Sequence, residues 1–420
     1  MLAQLRWDDG PWIPHSTATP VTPPDDRDSM HSGIGGLAHV LAEIRCARAW
    51  TDEESSLVDA IVTRLRSQVA SVTDISYFDG LVSTIGALEA LGADGTEDAL
   101  ARIDELAAPD GWPQEVVVKV PGARLFDVTL GASGVLLAAV WARRLGRAGA
   151  GDLASRTADL VLAEGETRDH GTTWMFVPTR FGDGSGPGTE MPNWSHGTAG
   201  VAAALAVAGA ELGRPDLLEA ARQGAEYLVS IGDREADRFV VPRYLPRDLN
   251  DEDEVTYTWC HGASGSSLAF RALDRAGVAT VAGEPPAVWH RRLLRAVRTS
   301  GLPARTYPGF WDNDGRCCGT AGVGDVFLDA WQREGVDDDL AFAVELADVL
   351  VERAVRQGPH ACWRFVEHRA AEPLLPPGVG WMQGAAGIAA YLFRTARLLD
   401  DGREAACVPR LDTWWALPES

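Results

Sequence analysis

Residues 197–208 read GTAGVAAALAVA, two glycines three apart followed by an uninterrupted run of small apolar residues. A run without charge on any side predicts a helix packed on every side. The same mark recurs along the chain: GIGGLAHVLAEI from Gly33, GLVSTIGALEAL from Gly80, GASGVLLAAVWA from Gly131, GASGSSLAFRAL from Gly262, GTAGVGDVFLDAW from Gly319 and GAAGIAAYLFRTA from Gly384. Only the Gly80 copy replaces the second glycine, with Ser83. Successive copies begin 47, 51, 66, 65, 57 and 65 residues apart, which is room for one helix out, one back and their loops.

Between the copies lie stretches with apolar residues at helical spacing: SLVDAIVTRLRSQV, LASRTADLVLAE, DLLEAARQGAEYLVS, AVWHRRLLRAVRTS and DDLAFAVELADVLVERA. These are the expected outer helices. Seven hairpins closed into a ring bury one continuous core, so the reading is all-α, an α/α toroid of seven helical hairpins whose inner helices open on the glycine motif. The expected organisation is an N-terminal extension over residues 1–30 and a single toroid domain over residues 31–420. The segment from Glu166 to Met191 breaks the pattern and is expected to form loops or small decorations.

Composition narrows the function. Net charge is −22, from 60 acidic against 38 basic residues, which argues against a nucleic-acid partner. No apolar run is long enough to span a membrane, and the N-terminus lacks the basic flank and apolar stretch of a secretory signal, so a cytoplasmic location is expected. Six cysteines in so large an acidic chain do not form a disulfide scaffold, and those that cluster are better read as metal ligands.

If the repeats are equivalent, the residues before each glycine share one end of the ring. Directly before the first glycines stand Ser32, Asp79, Leu130, His196, His261, Cys318 and Gln383; one place earlier come His31, Cys260 and Cys317. Cys260, Cys317 and Cys318 supply three thiolates from neighbouring repeats, one short of the tetrahedral shell of zinc, and the open position is the mark of a catalytic site. Nearby helix N-termini are expected to lower the thiol pKa values. The plainer alternative is that the three are buried small hydrophobes; for Cys46, Cys362 and Cys407 that alternative is preferred. His196 is a candidate proton donor or fourth ligand, with helix capping as the structural alternative. Asp127, four residues before Gly131, is a candidate to orient a histidine or move a proton, again against capping. His261 directly follows a candidate ligand and is expected to point elsewhere, at most lining the mouth, and Asp79 and Gln383 are read as structural.

The ordered set FDVTLGASG, NWSHGTAG, TWCHGASG, RCCGTAG and GWMQGAAG resembles the lanthionine synthetase C-like (LanC) cyclase family over roughly residues 30 to 400. The resemblance implies an α/α toroid with one catalytic zinc ion, adding peptide cysteine thiols to dehydroalanine or dehydrobutyrine to close (methyl)lanthionine thioether rings. Cys260 and Cys317 match the family's cysteine ligands, and Cys318 stands where the familiar ligand is histidine, as in the three-thiolate variant. Three thiolates on Zn²⁺ leave the unit negatively charged, which should make a bound sulfur more nucleophilic and cyclisation fast but less discriminating. His196 and Asp127 match the family residues credited with proton handling. An arginine that some bacterial members carry four residues before the first zinc cysteine is Thr256 here, with Arg243 or Arg247 as candidate substitutes. The partners implied are a dehydrated precursor peptide, leader plus core, and a separate dehydratase, the chain being either a stand-alone cyclase or a part of a larger synthetase. The rival readings are a relative that adds glutathione or another small thiol to dehydroamino acids, and a zinc-stabilised peptide-binding scaffold without catalysis.

Overall fold

The structure is a computed structural model describing residues 2–18, 22–114, 119–182, 189–248, 254–304, 313–366 and 374–417. Its helices run in pairs: α1 (Ile34–Ala47) and α2 (Asp52–Gln68), α3 (Leu81–Leu91) and α4 (Thr96–Glu105), α5 (Ala132–Arg144) and α6 (Ala150–Ala163), α7 (Thr198–Leu212) and α8 (Pro215–Ile231), α9 (Ala263–Arg275) and α10 (Pro286–Arg298), α11 (Thr320–Glu334) and α12 (Asp337–Arg353), then α13 (Ala385–Asp401). Every odd-numbered helix begins at a glycine mark. Each packs on the next odd-numbered helix, and α13 returns to α1, so the inner wall closes. The physical cause is the one read from the sequence: α7 is buried from Thr198 through Gly209, because Ala and Val give it no face that prefers water. The even-numbered helices bury one stripe, as α10 does with Trp289, His290, Leu293, Leu294 and Val297.

The glycines serve the loops more than the helices. A Cβ at Gly265 would lie 1.7 Å from the Trp259 carbonyl oxygen, one at Gly200 2.1 Å from that of Trp194, and one at Gly322 1.9 Å from that of Arg316. Each pre-helix loop therefore folds back over the first turn of its own helix. In the exceptional copy the Ser83 hydroxyl instead accepts from the Met30 N–H at 2.8 Å.

Folded this way, the loops bond to one another around the mouth. The N–H of His31 donates to Phe78, Tyr77 to Thr129, Thr129 to Ser195, Ser195 to Cys260, Cys260 to Cys317, Cys317 to Met382 and Met382 to His31, all at 2.9 to 3.3 Å. This closed girdle of backbone hydrogen bonds fixes the register of the seven loops and puts the residues before each glycine at one level.

The chain departs from the plain repeat in three places, of which the small decoration within Glu166–Met191 agrees with the sequence reading. The outer helix α4 is short, and only Ala99, Leu100 and Ile103 supply its buried apolar stripe, too few to register as a period. The segment from Glu166 to Met191 forms a hairpin, β1 (Glu166–Arg168) with β2 (Gly171–Thr173), although residues 183–188 lie outside the described residues. Comparable two-stranded hairpins, β3 (Asp233–Glu235) with β4 (Arg238–Val240), β5 (Val355–Gln357) with β6 (His360–Cys362), and β7 (Phe365–Val366) with β8 (Leu374–Leu375), follow α8 and α12 and take up the extra length of the longer repeats. Finally, no outer helix follows α13 among the described residues. The chain instead turns into the middle of the ring, where Val408, Leu411, Trp414, Trp415 and Leu417 are buried, while Phe393 and Leu399 on the outer side of α13 stay 43% and 53% exposed.

Candidate active site

Cys260 lies on the loop before α9, and Cys317 and Cys318 on the loop before α11; the girdle bond from Cys260 N–H to the Cys317 carbonyl at 3.2 Å sets the two loops side by side. The Cys260 and Cys318 sulfurs are 3.3 Å apart, as are those of Cys317 and Cys318, and all three sulfurs fall within 4.8 Å of one another. All are free thiols. A tetrahedral zinc site with Zn–S bonds of about 2.3 Å holds its sulfurs about 3.8 Å apart. The two 3.3 Å spacings fall about half an ångström short of that and the third pair lies within 4.8 Å, so with a small adjustment the donor set fits a thiophilic metal. Cys260 and Cys318 are buried and Cys317 is partly exposed.

The thiols do not all shift downward as expected. For Cys260 burial opposes the charge, but hydrogen bonds from Cys317 and Cys318 outweigh it and hold this thiol well below its usual range. The bond to Cys260 pushes Cys317 up, and burial pushes Cys318 up. One thiolate shared by two thiols is the physical content of that pattern; a cation would have to displace the remaining protons.

His196 precedes α7, and its Nδ1 is 2.8 Å from Asp127 Oδ2. The same carboxylate oxygen accepts from the Thr129 hydroxyl at 2.9 Å and the Leu130 N–H at 3.2 Å. Asp127 is buried while the His196 side chain is 23% exposed. A carboxylate accepting from Nδ1–H leaves Nε2 as the nitrogen free to exchange a proton. Of the alternatives for Asp127, the structure shows orientation of the histidine and not capping: its carboxylate holds His196 and braces its own loop at the Leu130 N–H, while the N-terminus of α5 has no side-chain cap.

His261 does line the mouth. Its ring lies 5.5 Å from that of His196 and 6.4 Å from that of Tyr244, and Phe176 closes over His196 at 4.7 Å. The glycine marks do not point to Phe176 or Tyr244, because each sits far from its glycine mark and only the folding of the long connections delivers it. Of the candidate substitutes for the missing arginine, Arg247 is held by Asp233 and Glu254. Arg243 is buried and stacks over the Tyr244 ring at 4.5 Å, which puts it one ring away from His261. Thr256 Oγ1 donates to the His261 carbonyl at 2.9 Å and so braces the loop.

A helical toroid whose mouth gathers three cysteines able to hold a metal ion, beside a histidine–aspartate pair, defines the class of protein. The sequence pattern described as "Lanthionine synthetase C-like protein" matches residues 24–400, and the chain belongs to that family. Among solved structures it is similar to nisin cyclase, with a TM-score of 0.59 at 14% identity, covering 89% of this chain and 90% of that one. Weaker similarities reach an unsaturated glucuronyl hydrolase specific for heparin (TM-score 0.42, 11% identity, 91% of this chain and 88% of that one) and the unsaturated glucuronyl hydrolase of Bacillus sp. GL1 (TM-score 0.38, 16% identity, 63% and 71%). No curated protein sequence matches the chain. Among the described residues no helix is long and apolar enough to cross a membrane.

Proposed function

We propose that the protein is a zinc-dependent lanthipeptide cyclase, adding peptide cysteine thiols to dehydroalanine or dehydrobutyrine to close thioether rings. The observation that carries this reading is the triad of Cys260, Cys317 and Cys318 at the ring's mouth together with the His196–Asp127 pair. Cys260, Cys317 and Cys318 would hold the zinc ion, which when bound would supply the Lewis acidity that lets a substrate thiol react as its thiolate at neutral pH. The chain's own residues do the rest. Phe176, Tyr244 and the imidazoles of His196 and His261 form an aromatic wall around the mouth that limits water and presents flat surfaces to a peptide.

In the addition, sulfur bonds to the β-carbon, the π electrons move toward the neighbouring carbonyl, and the α-carbon takes up a proton, so that the elements of S–H are added with no oxidant or reductant. His196 Nε2 delivers that proton, and Asp127 keeps the imidazole in the required tautomer and steadies its charged form. The dehydroamino acids come from a separate dehydratase, and the substrate is a precursor peptide of leader and core.

The test is to incubate the zinc-loaded protein with a dehydrated precursor peptide and glutathione, and to follow ring closure and adduct formation by mass spectrometry. Ring closure with little adduct is expected. Predominant glutathione adduct overturns the cyclase reading in favour of a small-thiol transferase. His196→Ala should lower the rate roughly 10²- to 10⁴-fold while zinc content and peptide affinity hold, and a variant as active as wild type removes His196 from the mechanism. Binding without turnover by the wild-type protein leaves a peptide-binding scaffold.

A further inference from the structure

The segment after α13 fills the centre of the ring and touches its inner wall on several sides. Val408 packs with Ala42 of α1 and Ala90 of α3, Leu411 lies against Gly86 of α3, and Trp415 meets Trp194, just before α7, at 6.1 Å. Arg144 of α5 and Arg275 of α9 sit over the Trp414 ring at 5.5 and 5.3 Å. A purely apolar plug would need no charge, yet this one carries Arg410 into the core with its side chain only 4% exposed.

Arg410 Nη2 lies 2.7 Å from Asp325 Oδ2 and 3.6 Å from Asp329 Oδ2, both on α11. Asp325 Oδ2 also accepts from Arg316 Nη2 at 2.5 Å, and its Oδ1 from Arg394 Nη1 at 2.7 Å. Arg316 is the residue directly before Cys317. Its N–H donates to the Met382 carbonyl at 2.8 Å and its guanidinium stacks over Trp381 at 4.5 Å. A continuous buried path therefore leads from the C-terminal segment, through Asp325 and Arg316, to the loop that carries two adjacent candidate ligands.

Adjacent ligands make that loop exacting. Successive side chains normally diverge, so aiming Cys317 and Cys318 at one ion requires one backbone turn to be held, and groups behind the ligands commonly do the holding. We infer that Arg410 is a positioning residue for the metal centre: it clamps Asp325, which fixes Arg316 and with it the Cys317–Cys318 loop. The inference rests on the reading that the three cysteines bind a metal.

The experiment uses the full-length protein, with zinc affinity measured by chelator competition and ligand geometry by the absorption bands of the cobalt-substituted form. Arg410→Met should raise the zinc Kd at least about tenfold and alter the cobalt–thiolate bands. Arg316→Met should do the same, and the double variant should lose no more than either single one, since both cut one path. Arg410→Lys should restore part of the affinity. Val408→Ala, in the same buried segment but outside the path, should lower the melting temperature and leave zinc affinity unchanged. Wild-type Kd and spectrum in Arg410→Met overturn the inference, as does an equal loss of affinity in Val408→Ala. Should Arg410→Met not fold, Arg316→Met and Arg410→Lys decide in the same way. A wild-type protein that takes up neither metal overturns the metal-site reading itself, which distinguishes the two failures.

Discussion

At the scale of single residues, Cys318 sets the character of this site. Its sulfur lies 3.3 Å from both Cys260 and Cys317, so it completes the triad and bridges the other two. On the proposed function, a third thiolate raises the electron density of the centre and weakens its hold on a bound sulfur, favouring attack over selectivity. Cys318→His should therefore slow cyclisation and narrow the set of rings formed from one dehydrated peptide. Unchanged rate and unchanged ring pattern, measured by tandem mass spectrometry, would remove that role. The residue letters alone showed which side chains belonged together, because His196, Cys260 and Cys318 recur beside equivalent glycines. They did not show that Asp127 reaches His196, since a gap of 69 residues between the two is crossed only through the girdle.

At the scale of elements, the paired glycines are loop-packing devices. A side chain at Gly265 meets the Trp259 carbonyl, which cannot move without breaking the loop that holds Cys260, whereas Gly213 at the end of α7 has a left-handed φ of 67° and open space around it. Gly265→Ala should thus lower stability by about 3 kcal/mol or more, an overpacking cost without relief, and weaken metal binding. Gly213→Ala should cost only about 1 kcal/mol, the strain of that φ. Urea denaturation with metal titration separates them; equal losses would mean that Gly265 has no special place. The inner helices were legible because their burial is written in composition, whereas α4 was not, its stripe being too short to stand out from chance.

At the scale of the whole molecule, the closed ring leaves polar groups in places that water does not reach. His290 on α10 is buried, with Nδ1 3.0 Å from the Ser267 carbonyl oxygen, and burial lowers its pKa to about 4, with Glu334 opposing. Because an unfolded histidine titrates near 6.5, the unfolded chain binds more protons between about 6.5 and 4. Stability must fall as pH drops through that window, on the order of 3 kcal/mol for this one group by pH 4. His290→Gln should flatten the pH dependence of the urea midpoint by that amount, and a curve parallel to wild type would show that His290 does not titrate on unfolding. What the sequence by itself determined was periodic: seven glycine marks, helices that bury every side, and reactive residues one or two steps before most of those glycines. Those follow from local rules, because a helix's surroundings and a loop's closeness to its helix are recorded in the residues that form them. Only the tertiary structure decided the rest, namely the girdle that aligns the loops, the pairing of Asp127 with His196, and the segment that carries Arg410 beneath the cysteines. Each of these joins residues far apart in the chain, and no local pattern encodes which distant loop a side chain will face.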